Sequence, residues 1–242
     1  MATKLAHIRE ATFAPDLHLA TADDLYLFIK RLFDVFLSAV LLLAFAPLMA
    51  LISLVIILDS PGPVIFRQKR VFGGQSWGDD NPEKHVFEFY KFRSMYQDAD
   101  QKLHQQYMQD LINGHAKCVE DAGKKMYKLG RDPRISRVGL FLRKASLDEL
   151  PQLVNILRGE MSFVGPRPAI PYEVRQYKPW HLQRLTVTQG LTGLWQVSGR
   201  NELSFDEMVQ LDVEYGRKRS LLLDFKILLA TIPAVLNGRG VR

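Results

Sequence analysis

Apolar positions are distributed unevenly along the chain. From Val35 to Leu58 it reads VFLSAVLLLAFAPLMALISLVIIL, 24 residues without a charge. About 20 such residues suffice to span the hydrocarbon core of a bilayer. The core helix of a soluble domain seldom needs so long a run, so the pattern predicts a membrane-inserted helix. Pro47 stands near its middle, where it removes a backbone donor and kinks or breaks a helix. Each half is then about a dozen residues, roughly 18 Å, short of the ~30 Å core. Lys30 and Arg31 precede the run, and Arg67, Lys69 and Arg70 come after it. Basic flanks stay cytoplasmic, so two of them favour a re-entrant hairpin with its break at Pro47, although prolines also occur in helices that cross.

The remaining pattern is that of a small enzyme-sized domain. Residues 1–24 lack periodicity and read as a peripheral leader; no cleavage signal comes after the apolar run, so a removable signal peptide is not expected. Residues 25–59 form the membrane helix, and 60–242 a cytosolic domain that opens with the turn cluster Asp59-Ser60-Pro61-Gly62-Pro63. Val64–Phe66 and Val86–Phe92 have strand composition, the second with alternation, around a polar loop from Gly73 to Lys84. Residues 95–128 are polar and helix-prone, an exposed excursion. Leu221–Leu236 is strongly apolar but carries Asp224, Lys226 and Pro233, which suits a core helix and an interfacial one equally. The fold class expected is α/β, mainly helical with a small sheet.

Composition adds less than its distribution does. The 242 residues are 47% hydrophobic and 24% charged, values that exclude a disordered or collagen-like chain. Cys118 is the one cysteine, so no disulfide framework exists. The mean hydropathy of -0.07 averages away the greasy segment. The net charge of +6 is too small to choose between nucleic acid, membrane and phosphorylated substrate. Its location is more telling. Residues 131–200 hold eleven basic and five acidic residues, an excess equal to that of the whole chain. Nine of the eleven are arginines, whose planar fork matches phosphate oxygens. Their interleaving with Gly and Pro, as in GPRP and SGR, suggests pocket-forming loops around a phosphate site.

Within this stretch, Ser146 and Glu149 have capping-box spacing, and Asp148 suits a helix N-terminus. Leu147, Leu150, Val154 and Leu157 would share one helix face, with Asp148, Gln152 and Asn155 opposite and Gly159 as the stop. Pro151 conflicts with a regular helix begun at Leu147, so the Asp-Glu pair falls on a distorted first turn. A carboxylate beside a phosphate site, with Arg143 five residues upstream, has the chemistry of a nucleophile or a metal ligand.

SLDELPQLVNILRGEMSFVGPRP resembles the signature of the bacterial sugar transferases, monotopic polyprenyl-phosphate phosphoglycosyl transferases. The resemblance continues in order through Lys30-Arg31-x-x-Asp34, the broken membrane helix, GPVIFRQKR, KFRSM, RISRVGLFLRKASLDEL and GLTGLWQVSGR, over roughly residues 28–236. It implies transfer of a sugar-1-phosphate from a UDP-sugar to undecaprenyl phosphate with release of UMP, in a ping-pong reaction. Asp148 is the implied nucleophile and Glu149 the implied partner of Mg²⁺. Arg143 and Arg167 match arginines near the phosphates, and Lys91, Arg93 and Arg200 complete the expected substrate-binding set. The family further implies re-entry of the membrane helix, and a catalytic domain on the cytoplasmic face of the bacterial inner membrane. Its members often have Pro where Gln189 stands, and Ser-Pro where this chain has Ala46-Pro47.

Two rival readings remain. Asp98-Ala99-Asp100 has the form of a metal-binding DxD of ordinary glycosyltransferases, although acidic residues in so polar a stretch usually face solvent. A membrane-anchored anion-binding scaffold would also use the arginines. Walker and dinucleotide glycine motifs and zinc spacings are absent, and the aromatics fall in strand-like and GLW contexts, so nucleic acid is not an expected partner. A homo-oligomer is compatible with each reading.

Overall fold

In a computed structural model, which describes residues 22–74, 85–96, 102–116, 119–121, 124–127 and 132–236, the uncharged run belongs to one long helix, α1 (Ala22–Asp59). Only 11% of the most apolar 18-residue stretch of α1 is buried, the opposite of a soluble protein's core helix. Leu25, Phe28, Leu32, Phe36, Leu43 and Leu58 all face outward. Pro47 lies inside the helix and does not divide it. The expected helix-break-helix is thus a single element: proline forfeits one hydrogen bond, while the bonds of neighbouring turns keep the helix continuous.

A polar stripe at helical spacing fixes α1 to the domain: Lys30, Asp34 and Ser38 are all buried. Lys30 Nζ is 2.7 Å from Asp224 Oδ2, and the Tyr215 hydroxyl lies 2.8 Å from Asp224 Oδ1. Arg31 donates to the carbonyls of Ile156 and Leu157 at 2.6 and 2.8 Å, and Asp34 Oδ1 accepts from the Phe163 amide at 3.1 Å. Toward its other end, α1 packs Ile52 and Ile56 against Phe92 and Leu142. Both ends of the helix therefore rest on the same domain.

That domain has small strand pairs rather than one sheet. β1 (Ile65–Val71) and β2 (Val86–Phe92) are antiparallel, with Arg67 opposite Tyr90. The alternation in β2 works as expected, burying Phe87 and Phe89 and exposing Glu88. After α2 (Lys102–Ile112), β3 (Val119–Asp121) pairs with β4 (Lys124–Met126). β5 (Ser162–Val164) runs parallel to β6 (Gly190–Thr192). Helices supply the rest: α3 (Arg137–Lys144), α4 (Gln152–Arg158), α5 (Pro171–Val174), α6 (Leu194–Ser198), α7 (Phe205–Lys218) and α8 (Leu221–Leu236). The main core joins Phe87, Phe89, Leu153, Ile156, Phe163 and Ile227, each burial contributing about 1.5–3 kcal/mol.

α8 is two-faced. Asp224 and Ile227 are buried, while Leu222, Phe225, Leu229 and Ile232 are exposed, so it is both a core helix and an apolar outer surface. The leader up to residue 21, most of the Gly73–Lys84 loop, Asp98-Ala99-Asp100 and Cys118 lie outside the described residues.

Candidate active site

The Asp148-Glu149 pair sits on a 3-10 turn, Leu147–Glu149, between α3 and α4. The capping box expected at Ser146 does not form: Ser146 has φ 55° and makes no side-chain cap hydrogen bond. Its backbone instead turns in the left-handed region to join the two helices. Pro151 precedes the regular helix, as its missing N–H requires. Leu153 and Ile156 point into the core while Leu157 is exposed, so the buried apolar face is not the one expected. Gly159 ends α4 with φ 86°, a conformation other residues rarely adopt.

Asp148 is 2% exposed. From β2, Lys91 Nζ approaches its Oδ2 to 2.6 Å, off the direction of a hydrogen bond, and Glu149 Oε1 to 3.8 Å. Register explains how Lys91 gets there. Asn155 of α4 accepts from the Tyr90 amide at 3.1 Å and donates to the Glu88 carbonyl at 2.6 Å. The strand is thereby held against the helix with Lys91 beside the carboxylates.

Arginines approach from three other segments. Arg143, in the last turn of α3, donates through Nε to Ser94 Oγ at 2.9 Å. α3 can come this close to Ser94 because of Gly139, where a Cβ would stand 2.0 Å from the Ser94 carbonyl oxygen. Burial pushes the Arg143 pKa down, opposed chiefly by Asp148. Arg167 stands 3.8 Å from Glu149 Oε1. Its loop is pinned by Arg70, which donates to the Pro168 carbonyl at 2.8 Å. Burial lowers the Arg70 pKa to about 10, against the opposing charge of Glu173. Arg200 is also lowered by burial and counteracted by the charge of Glu149. Ser146 and Arg200 are the two non-glycine residues with positive φ among those described, and both belong to this site. Such conformations cost on the order of 1–3 kcal/mol and persist where the surroundings impose them.

The structure thus brings together Asp148, Glu149, Lys91, Arg143, Arg167 and Arg200. Arg93 is used elsewhere: its guanidinium donates to the carbonyls of Ser60 and Pro61 at 2.5 and 2.8 Å, closing the end of α1. Nor do all the arginines of residues 131–200 converge here. Arg184 forms a buried ion pair with Asp212 at 2.6 Å, and Arg158 is exposed against the Tyr90 hydroxyl. Sequence reasoning missed Ser94 and Arg70, which position site arginines, and the pair His104–Tyr172. The His104 Nδ1 and Tyr172 hydroxyl lie 2.5 Å apart. Ser94 and Arg70 lie within KFRSM and GPVIFRQKR, but nothing local shows which groups they hold, and no local pattern marks His104 or Tyr172.

Among the described residues no three His, Cys, Asp or Glu side chains gather as a metal cage. Two adjacent carboxylates do fit Mg²⁺, which commonly takes one or two carboxylates and completes its shell with substrate phosphates and water.

Comparison with known proteins agrees in kind. A model of the family described as bacterial sugar transferase matches residues 25–238. The exopolysaccharide production protein ExoY of Rhizobium meliloti is 42% identical over 212 residues, which cover 87% of each chain. The undecaprenyl-phosphate galactose phosphotransferase of Salmonella typhimurium is 38% identical over 88% of this chain, which spans 41% of that longer protein. The UDP-glucose:undecaprenyl-phosphate glucose-1-phosphate transferase of Caulobacter vibrioides is 38% identical over 86% of this chain and 70% of its own length.

Proposed function

The chain belongs to the bacterial sugar transferase family, and from that premise we propose that it moves a sugar-1-phosphate from a UDP-sugar to undecaprenyl phosphate, with Asp148 as nucleophile. The observation that carries this reading is a buried carboxylate approached by Lys91 at 2.6 Å, with Arg143 facing it and Arg167 and Arg200 facing its neighbour Glu149. In the first step an Asp148 oxygen bonds to the β-phosphorus, and the bond from that phosphorus to the oxygen bridging to the α-phosphate breaks, so UMP leaves with the electron pair. In the second, an oxygen of the lipid phosphate bonds to the same phosphorus. The aspartyl–phosphorus bond breaks, returning the carboxylate and giving a polyprenyl-diphosphate sugar. Dividing the exchange avoids direct reaction of two polyanions.

Lys91 keeps the nucleophile oriented. Arg143, Arg167 and Arg200 neutralise charge on the diphosphate and on departing UMP. Glu149 would hold Mg²⁺, with Asp148 beside it, and the ion supplies further neutralisation of phosphate charge.

The membrane reading rests on α1 and on the outer face of α8, both apolar and exposed. What supports a re-entrant path, with the domain on the cytoplasmic face of the inner membrane, is that both ends of α1 dock on one domain. About 14 residues separate Ser38 from Ile52, roughly 21 Å of helix, less than a bilayer core.

Asp148→Asn is expected to abolish UMP release from a UDP-sugar while leaving melting and membrane association unchanged. Appreciable UMP release by that variant refutes the nucleophile assignment, and release of UDP by the wild type refutes phosphosugar transfer itself.

A further inference from the structure

Four residues after Asp148 stands a second buried polar group to which the two transfer steps assign no role. Gln152 is 2% exposed, and its Nε2 has no hydrogen-bond partner among the described residues. The backbone from the 3-10 turn to α4 stays helical through Leu150 (φ −52°, ψ −38°) and Pro151 (φ −62°, ψ −17°). Residues 148 and 152 are therefore about one turn apart along a segment bonded largely from i to i−3, and both side chains are buried, with Asp148 Oδ2 and Gln152 Nε2 each without a hydrogen-bond partner among the described residues. Helical side chains lean toward the N-terminus, which carries the Gln152 carboxamide back toward the turn of Asp148.

The neighbours along this segment define what it faces. Asp148 is approached by Lys91 of β2, and Asn155 is bonded to Tyr90 and Glu88 of the same strand. Gln152 lies between them, yet its two donor hydrogens are unused. Buried donors are almost always paired, because leaving one unpaired forfeits its hydration without return. Nearby Asn155 shows that this helix can satisfy a carboxamide fully. What Gln152 lacks is an acceptor, and the phosphoryl group arriving at Asp148, which carries the sugar on one oxygen, brings two non-bridging acceptor oxygens.

We propose that the Gln152 carboxamide donates a hydrogen bond to a non-bridging oxygen of the phosphoryl group transferred to and from Asp148. The inference rests on the phosphosugar-transfer reading. The amide neither gains nor loses a covalent bond; it stabilises charge on the phosphoryl oxygens as the Asp148–phosphorus bond forms and breaks. Because the donor is idle until substrate arrives, its worth is realised in turnover and not in folding.

This separates it from a structural glutamine. The full chain in nanodiscs, given a UDP-sugar and undecaprenyl phosphate, is assayed for UMP release alongside thermal melting without substrate. Gln152→Met keeps length and volume and removes both donors. Its kcat should fall about 100-fold, as when one oxyanion donor is lost, with the donor KM changed less than about threefold. Its melting midpoint should equal or exceed that of the wild type. Gln152→Glu, which replaces the donors by a carboxylate facing a phosphate, should be slower still. A kcat for Gln152→Met within about threefold of wild type overturns the inference, as does a clear loss of melting temperature or failure to fold, since either shows the amide already in structural use. Wild-type chain and Asp148→Asn are measured in the same series. If the wild type releases no UMP, the transfer reading fails and this inference falls with it; if only Asp148→Asn is inactive and Gln152→Met is not, the inference alone fails.

Discussion

Arg93 and Lys91 stand two positions apart on and just after β2, and they do different work. Lys91 points at Asp148. Arg93 is 6% exposed and turns to the carbonyls of Ile56, Ser60 and Pro61, in the last turn of α1 and just past its end. A helix terminus carries unsatisfied carbonyls and partial negative charge, which a buried guanidinium answers. Arg93→Met keeps the aliphatic stem and strands those carbonyls, so it should cost about 2–4 kcal/mol in denaturant unfolding. In the fraction that folds, the KM for the sugar donor should stay at the wild-type value. A raised KM at unchanged stability would instead return Arg93 to the substrate site.

At the scale of elements, α2 is docked on α5 through His104 and Tyr172, whose rings meet edge to face with centroids 6.3 Å apart. Burial, reinforced by the charges of Arg70, Arg134, Arg167 and Arg143, lowers the His104 pKa from 6.5 to about 4. The folded state thus keeps a neutral imidazole at pH values where the unfolded chain binds a proton. The stabilisation is whole above pH 6.5 and is lost as the pH falls through 4, at most about 3 kcal/mol. His104→Gln removes this term. Between pH 7 and 4.5 the melting midpoint of the wild type should fall more steeply than that of the variant, and parallel slopes would contradict the neutral-imidazole account.

For the whole molecule, the decisive arrangement is α1 seated on the domain by Lys30, Asp34 and Ser38 and again by Ile52 and Ile56. A helix that crossed the bilayer would carry one of these contact sets to the opposite side. The chain's single cysteine makes the geometry accessible to labelling. In a Cys118→Ser background, Leu25→Cys and Pro63→Cys should both be protected from an impermeant maleimide added to spheroplasts, and both should react in inverted vesicles. Reaction from opposite sides would show that α1 crosses.

Much of this protein is written locally. The charge-free run, the alternation of β2, the Asp-Glu pair before Pro151 and the stop at Gly159 arise from neighbouring residues, and each is where the sequence places it. The arginine excess was legible as a phosphate site only in outline. Arg143, Arg167 and Arg200 converge on the dyad, whereas Arg184 is consumed by Asp212 and Arg93 by α1. The strained Ser146, the Lys91–Asp148 pair, the Arg70 pin and the His104–Tyr172 contact depend on chain segments far apart in sequence. Composition and spacing fix which chemistry a chain can carry, because they set periodicity and charge. Which cation meets which carboxylate is decided by packing: burial demands a partner for every charge, and only the assembled core says which one is within reach.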